Sequence, residues 1–116
     1  MAVVHKSKIE IVVGLDENKV PEKLAWSAQD GGIKNEASKA IMISVWDHLA
    51  QDTLRMDLWT KEMTVDAMKQ FCVNAVGGMA DTIERATGDG KMSEMIHELC
   101  RNLVKHLEDE QKSAQN

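Results

Sequence analysis

The chain has no tyrosine, one phenylalanine and one proline among 116 residues, so its three tryptophans stand nearly alone as aromatics. It also has no cluster of lysine and arginine: 14 basic residues are spread against 19 acidic ones, for a net charge of −5. Without a basic stripe it lacks the footprint of a nucleic-acid or anionic-membrane binder. No apolar run approaches the length of a membrane span, so no membrane insertion is expected. The opening MAVVHKSK lacks the apolar stretch of an export signal, which predicts a cytoplasmic protein. Only two cysteines are present, Cys72 and Cys100, far apart and both in helical patterns. In that compartment they are expected to be reduced, largely buried thiols.

What is present is the composition of a folded domain. Hydrophobic residues make up 43% of the chain, and 116 residues suffice for one core but not two. A single domain over 1–116 is predicted, with 1–7 and 109–116 flexible. From 8 to 60 the pattern alternates in steps of two, the period of strands. Ile9, Ile11, Val13 and Leu15 alternate with Lys8, Glu10, Val12 and Gly14. DENKVP supplies the turn residues Asp16, Asn18 and Pro21, and a second strand follows with Leu24, Trp26 and Ala28 on one side. DGG at 30–32 breaks the chain. NEASKA at 35–40 reads as a helical turn capped by Asn35, or as the start of the next strand.

Residues 40–47 and 53–60 form the third and fourth strands. Pairing residues whose numbers sum to 101 sets Val45 against Met56, Ile43 against Leu58 and Ile41 against Thr60 on one face. The other face then holds Trp46 against Arg55, Ser44 against Asp57 and Met42 against Trp59. One face is apolar and the other mixed, and a slip of one residue would exchange them. Met42, Trp46, Arg55 and Trp59 therefore fall away from the main core, while Trp26 belongs nearer to it. These four residues are the candidate protein-interaction site, with Arg55 placed to stack on Trp46.

From Thr64 the period becomes helical. Val65, Met68, Cys72, Ala75, Met79, Ile83 and Ala86 trace one stripe, Gly88 and Gly90 end the helix, and a second helix carries Met92, Met95, Ile96, Leu99, Leu103 and Leu107. Helices over about 64–87 and 91–110 are predicted, packed as an antiparallel pair. Gly77 and Gly78 in mid-helix imply close approach by a neighbour, or a kink. The fold class is α+β: a four-stranded antiparallel sheet followed by two C-terminal helices packed on one face.

No reaction chemistry assembles. Asp47 and His48 are neighbours on a strand and point apart. His97, Cys100 and Cys72 offer a weak metal spacing with no second pair. GDGKMS has Met92 where a phosphate loop needs Ser or Thr, and DENKVPEKL has Pro21 where a calcium loop needs glycine. The chain is expected not to be an enzyme and to use no metal or cofactor.

SVWDH at 44–48, AQDTLRMDLWTKEM at 50–63 and MADTIERATGD at 79–89, preceded by LDENKVPEKLAWSAQDGG at 15–32, carry a resemblance. Over about residues 8–108 the chain resembles the gliding-motility GldC family of Bacteroidetes. That resemblance implies a small cytoplasmic accessory protein of the gliding and associated secretion machinery, and no catalytic residues. Two readings follow. In one the chain is an interaction module, itself a homo-oligomer, that binds a protein partner of the machinery. In the other it is a holdase, by analogy with the element order of the export chaperone SecB.

Overall fold

A computed structural model describes residues 2–115, with the side chain of Gln115 outside the description. The chain divides into two compact units, Met1–Thr64 and Val65–Asn116. The first holds every strand and the second both helices, so the fold is α+β.

Among the described residues five strands are present where four were expected: β1 Ile9–Leu15, β2 Pro21–Ala28, β3 Ile33–Ser38, β4 Ala40–Asp47 and β5 Asp52–Trp59. They form two sheets and not one. β1, β2 and β3 make an antiparallel sheet with β2 in the centre, and β4 pairs with β5 alone. The added strand lies where Asn35 was read as a possible helix cap. Asn35 instead adopts φ 49° within a bulge, where β2 and β3 shift register between the pairs Trp26–Glu36 and Ala28–Ile33. Its N–H donates to Ser27 Oγ at 3.0 Å. Asparagine suits both roles, because its short polar side chain tolerates the left-handed region as well as it caps helices. A bend at Lys39 then carries the chain straight into β4, which joins a different sheet.

The core of the strand unit is small. Leu24 on the central strand keeps 3% of its surface, opposite Val13 on β1 and Ser38 on β3. Trp26 is half-buried, as its place on the same strand implies. Thr60 is also buried; its N–H donates to the Lys39 carbonyl at 2.9 Å, which extends the β4–β5 ladder by one rung, and its hydroxyl has no partner among the described residues.

Asp16 organises the turn between β1 and β2. Its Oδ1 accepts the N–H groups of Asn18 at 2.8 Å and Val20 at 3.0 Å, and its Oδ2 pairs with the Lys61 ammonium. Lys61 first, then the Val20 and Asn18 N–H groups, lower its pKa from 3.8 to about 2. A carboxylate lowered on folding adds stability that is complete above its unfolded value and is lost as pH falls toward its folded one. Asp16→Asn should therefore flatten the loss of stability on acidification from about pH 5 to about pH 2.5, read as urea midpoints by tryptophan fluorescence. A variant with the parent's acid slope would show that Asp16 does not carry it.

The second unit is an antiparallel helical hairpin, α1 Val65–Thr87 and α2 Gly90–Gln115. Gly88 closes α1 with φ 74°, its N–H donating to the Glu84 carbonyl at 2.8 Å. Asp89 caps α2 by accepting the Met92 N–H at 2.9 Å. α2 runs to Gln115, beyond the expected end near 110. The seam between the helices is made of small residues. Ala80 has no exposed surface, Ser93 keeps 2%, and the Ser93 hydroxyl donates to the Ala80 carbonyl at 2.9 Å. A Cβ added at Gly77 would lie 3.7 Å from Cys100 Sγ, so this glycine faces the neighbouring helix while Gly78 faces open space.

The predicted stripes coincide with the seam only in part: Met68, Ala75 and Ile83 on α1 and Ile96, Leu103 and Leu107 on α2 are half-buried. Val65 and Met79 keep 72% and 51% of their surface, Leu99 on α2 keeps 49%, and Cys72 is exposed. The centre of the stripe lies roughly a third of a turn around α1 from Val73, Gly77 and Ala80, given about 100° per residue. Large apolar residues dominate a periodicity count, and a seam of glycine, alanine and serine escapes it.

Candidate functional site

The four residues singled out by the hairpin pattern do share one face of β4–β5. The observed register pairs residues summing to 99: Ala40–Trp59, Ile41–Leu58, Met42–Asp57, Ile43–Met56, Ser44–Arg55, Val45–Leu54, Trp46–Thr53 and Asp47–Asp52. The expected sum of 101 was wrong by two residues. Two is the side-chain period of a strand, so the faces are unchanged while the neighbours differ.

The turn sets the difference. His48–Gln51 form a four-residue loop, with Gln51 N–H donating to the Asp47 carbonyl at 2.9 Å and Leu49 N–H to Asp47 Oδ1 at 3.2 Å. Gln51 takes φ 52° to close it, and its side-chain amide donates to the His48 carbonyl at 2.8 Å. Asp47 thus serves the turn.

The corrected register moves Arg55 away from its expected seat opposite Trp46. Its guanidinium donates to Ser44 Oγ at 2.8 Å and to Asp57 Oδ1 at 2.9 Å, filling the middle of the face. Trp46 lies at the turn end opposite Thr53, and Trp59 at the open end opposite Ala40. They are 62% and 53% exposed, and Met42 between them is half-buried. Six residues of strand separate the tryptophans, about 20 Å at the rise of an antiparallel strand. One face holds all four residues, but the two indoles do not meet on it.

The opposite face was expected to be core. Ile41, Ile43 and Leu58 are half-buried there, while Val45, Leu54 and Met56 keep 51%, 60% and 57% of their surface. Leu54, which the expected register set opposite Asp47, lies opposite Val45 and is a further apolar member of this face. The periodicity contained it; only the loop length hid it.

The remaining candidates are dispersed. His97 lies 3.7 Å from Asp81, whereas Cys100 points into the helical seam toward the Val73 carbonyl at 3.9 Å. Cys72 is exposed and not buried as expected, and both thiols are free. Among the described residues no three His, Cys, Asp or Glu side chains converge as a metal site. A cleft of about 580 Å³ in the strand unit is lined by Glu22, Lys23, Asn35, Lys39, Thr60 and Glu62. Its acids and bases are mixed, with no nucleophile, base and orienter in sequence. A second cleft, of about 320 Å³, lies on the helical hairpin between Met68, Cys72, Val76, Leu103, His106 and Leu107. GDGKMS forms the α1–α2 connection and the first turn of α2. No described helix is long and apolar enough to cross a membrane.

Fold and surface thus define an α+β protein built from two small antiparallel sheets and a helical hairpin. The chain belongs to the GldC-like family, described as gliding motility-associated protein GldC-like, which matches residues 21–109. That span includes β2 to β5, α1 and most of α2. No curated protein and no solved structure matches the chain.

Proposed function

We propose that this gliding motility-associated protein is a non-enzymatic accessory component of the gliding and associated secretion machinery. It acts in the cytoplasm as a self-associating interaction module, with the Trp46–Trp59 face of β4–β5 as its partner-binding surface. The observation that carries this reading is the exposure of both indoles on a face whose centre is an ordered Ser44–Arg55–Asp57 hydrogen-bond cluster. Tryptophan and arginine are the residue types enriched at interface hot spots, and two exposed indoles lose apolar contact with water when a partner covers them. The SecB analogy rested on four strands in the element order; five strands in two sheets remove that basis.

The test is affinity capture from a gliding bacterium with the full chain and with the Trp46→Ala/Trp59→Ala variant. One stoichiometric partner is expected for the parent. Each truncated hot-spot tryptophan should cost about 2 kcal/mol or more of binding, so the double variant should lose that partner while keeping its circular dichroism spectrum. A double variant that captures the same partner at the same level would exclude this face. Capture of many unfolded clients by both proteins would favour the holdase reading instead.

A further inference from the structure

β4 differs from the other outer strands in lacking charge, proline and bulge against pairing. Its one local cover is the Ser38 hydroxyl, which donates to the Ala40 carbonyl at 2.8 Å and leaves that oxygen a second lone pair. A sheet edge exposes a row of unused N–H and C=O groups, and proteins guard such edges with charges, proline or bulges. β1 carries Glu10 and a register shift at Gly14; β3 carries Lys34, Glu36 and the Asn35 bulge; β5 carries Asp52, Arg55 and Asp57. From Ala40 to Trp46, β4 has no charge, no proline and no bulge in its ladder with β5. β5 is the only strand hydrogen-bonded to it among the described residues. Seven uncharged residues on an open edge are a site for strand addition.

We infer that the strand added at this edge is β4 of a second copy, antiparallel, with the two Ile43 residues facing each other on the two-fold axis. The sequence of the strand is self-complementary in that register. Ile41 then faces Val45 of the second copy, and Ala40 faces Trp46 of the second copy. Lys39 faces Asp47 of the second copy, once at each end. No other register of the strand on itself pairs those charges.

Lys39 belongs to this arithmetic because it already sits in the β4–β5 ladder, through its carbonyl bond to Thr60 N–H. It makes no ion pair among the described residues. Asp47 lies directly opposite Asp52, a like-charge pair that opposes hairpin closure, and an ammonium delivered by the second copy relieves it. Asp47 Oδ1 is engaged by Leu49 N–H, which leaves Oδ2 for the lysine.

The pairing joins two hairpins into the sheet β5–β4–β4–β5, and it reunites the tryptophans. Across the rung that contains Ala40, Trp59 stands on one side and Trp46 of the second copy on the other. They are two strand spacings apart, about 10 Å, against about 20 Å within one chain. Ala40 is the small floor between the two indoles. The interaction face is thus completed by the second copy, as two equivalent tryptophan pairs. This inference rests on the reading of that face as an interface, and adds where the second copy docks.

Sedimentation equilibrium of the full chain tests it, with Lys39→Asp, Asp47→Lys and the double exchange. Both positions are at the sheet margin; Asp47→Lys loses the Leu49 N–H bond to its carboxylate but keeps the Gln51 N–H bond to its carbonyl, and unchanged circular dichroism verifies the fold of each variant. Each single exchange places like charges face to face at both ends and should weaken the dimer about tenfold. The double exchange restores opposite charges and should return affinity to within about twofold of the parent. A parent dimer that none of the three variants alters would overturn this register while leaving self-association intact. A parent monomeric at every concentration would overturn both, with partner capture still able to uphold the tryptophan face. In a Cys72→Ser/Cys100→Ser background, Ile43→Cys should form an intermolecular disulfide and Val45→Cys should not, since the latter pair is about 14 Å apart along the strands. The reverse result would also overturn the register.

Discussion

Ala80→Asp should unfold the helical hairpin. Ala80 has no exposed surface, and the Ser93 hydroxyl already occupies its carbonyl from the facing helix. A carboxylate at that Cβ would enter the seam beside Ser93, whose hydroxyl already lies 3.5 Å from the Glu84 carboxylate. Burying an unpaired charge costs about 3–5 kcal/mol, a large part of the 5–15 kcal/mol that holds a typical domain together. Two helices joined by a short turn have little else to lose. The expected result is a collapse of the helical circular dichroism signal, or a melting temperature lowered by well over ten degrees. Ala80→Gly separates charge from helix propensity, and should cost only about 1 kcal/mol. If Ala80→Asp melted like the parent, the seam would not run through Ala80 and Ser93.

The second large effect is expected at Leu24. Among the described residues it is the one large apolar side chain of the strand unit with as little as 3% of its surface exposed, and it lies on the central strand between Val13 and Ser38. Leu24→Ala should cost about 2–5 kcal/mol, the lost transfer energy plus the cavity left behind. The two experiments have separate readouts. All three tryptophans, Trp26, Trp46 and Trp59, belong to the strand unit, while both helices belong to the other. Tryptophan fluorescence therefore follows Leu24→Ala, and helical circular dichroism follows Ala80→Asp. An unchanged fluorescence transition in Leu24→Ala would remove Leu24 from the centre of that core.

Much of this was legible in the sequence where a period or a special residue spoke. The alternation of β4 and β5 sorted Trp46 and Trp59 onto one face, and Gly88 marked the end of α1. What the pattern could not supply was registry. A shift of two residues is invisible to side-chain alternation, and only the closure of the loop by Asp47 and Gln51 decides it. The same limit applied at Asn35, whose chemistry fits a helix cap and a left-handed bulge equally well. In the helices the difficulty was different in kind. Periodicity finds what is large and apolar, whereas Ala80, Ser93 and Gly77 pack because they are small. The division into two sheets turns on one bend, at Lys39, with no sequence signal beyond its position between two strands.

Among the described residues every hydrogen-bonded strand pair, and the helix pair, joins neighbours in the chain: β1 with β2, β2 with β3, β4 with β5, and α1 with α2. Each is closed by a loop of a few residues, so little chain entropy is spent before contacts begin to form. Low contact order of this kind favours rapid folding, and hairpins of this size close on the microsecond scale. The tie between Asp16 and Lys61, like the contact of β2 with β5, is non-local and spans most of the strand unit. It can form only after the local hairpins exist. During synthesis Asp16 emerges long before Lys61, so the β1–β2 turn must hold through its own Asn18 and Val20 hydrogen bonds until β5 has left the ribosome.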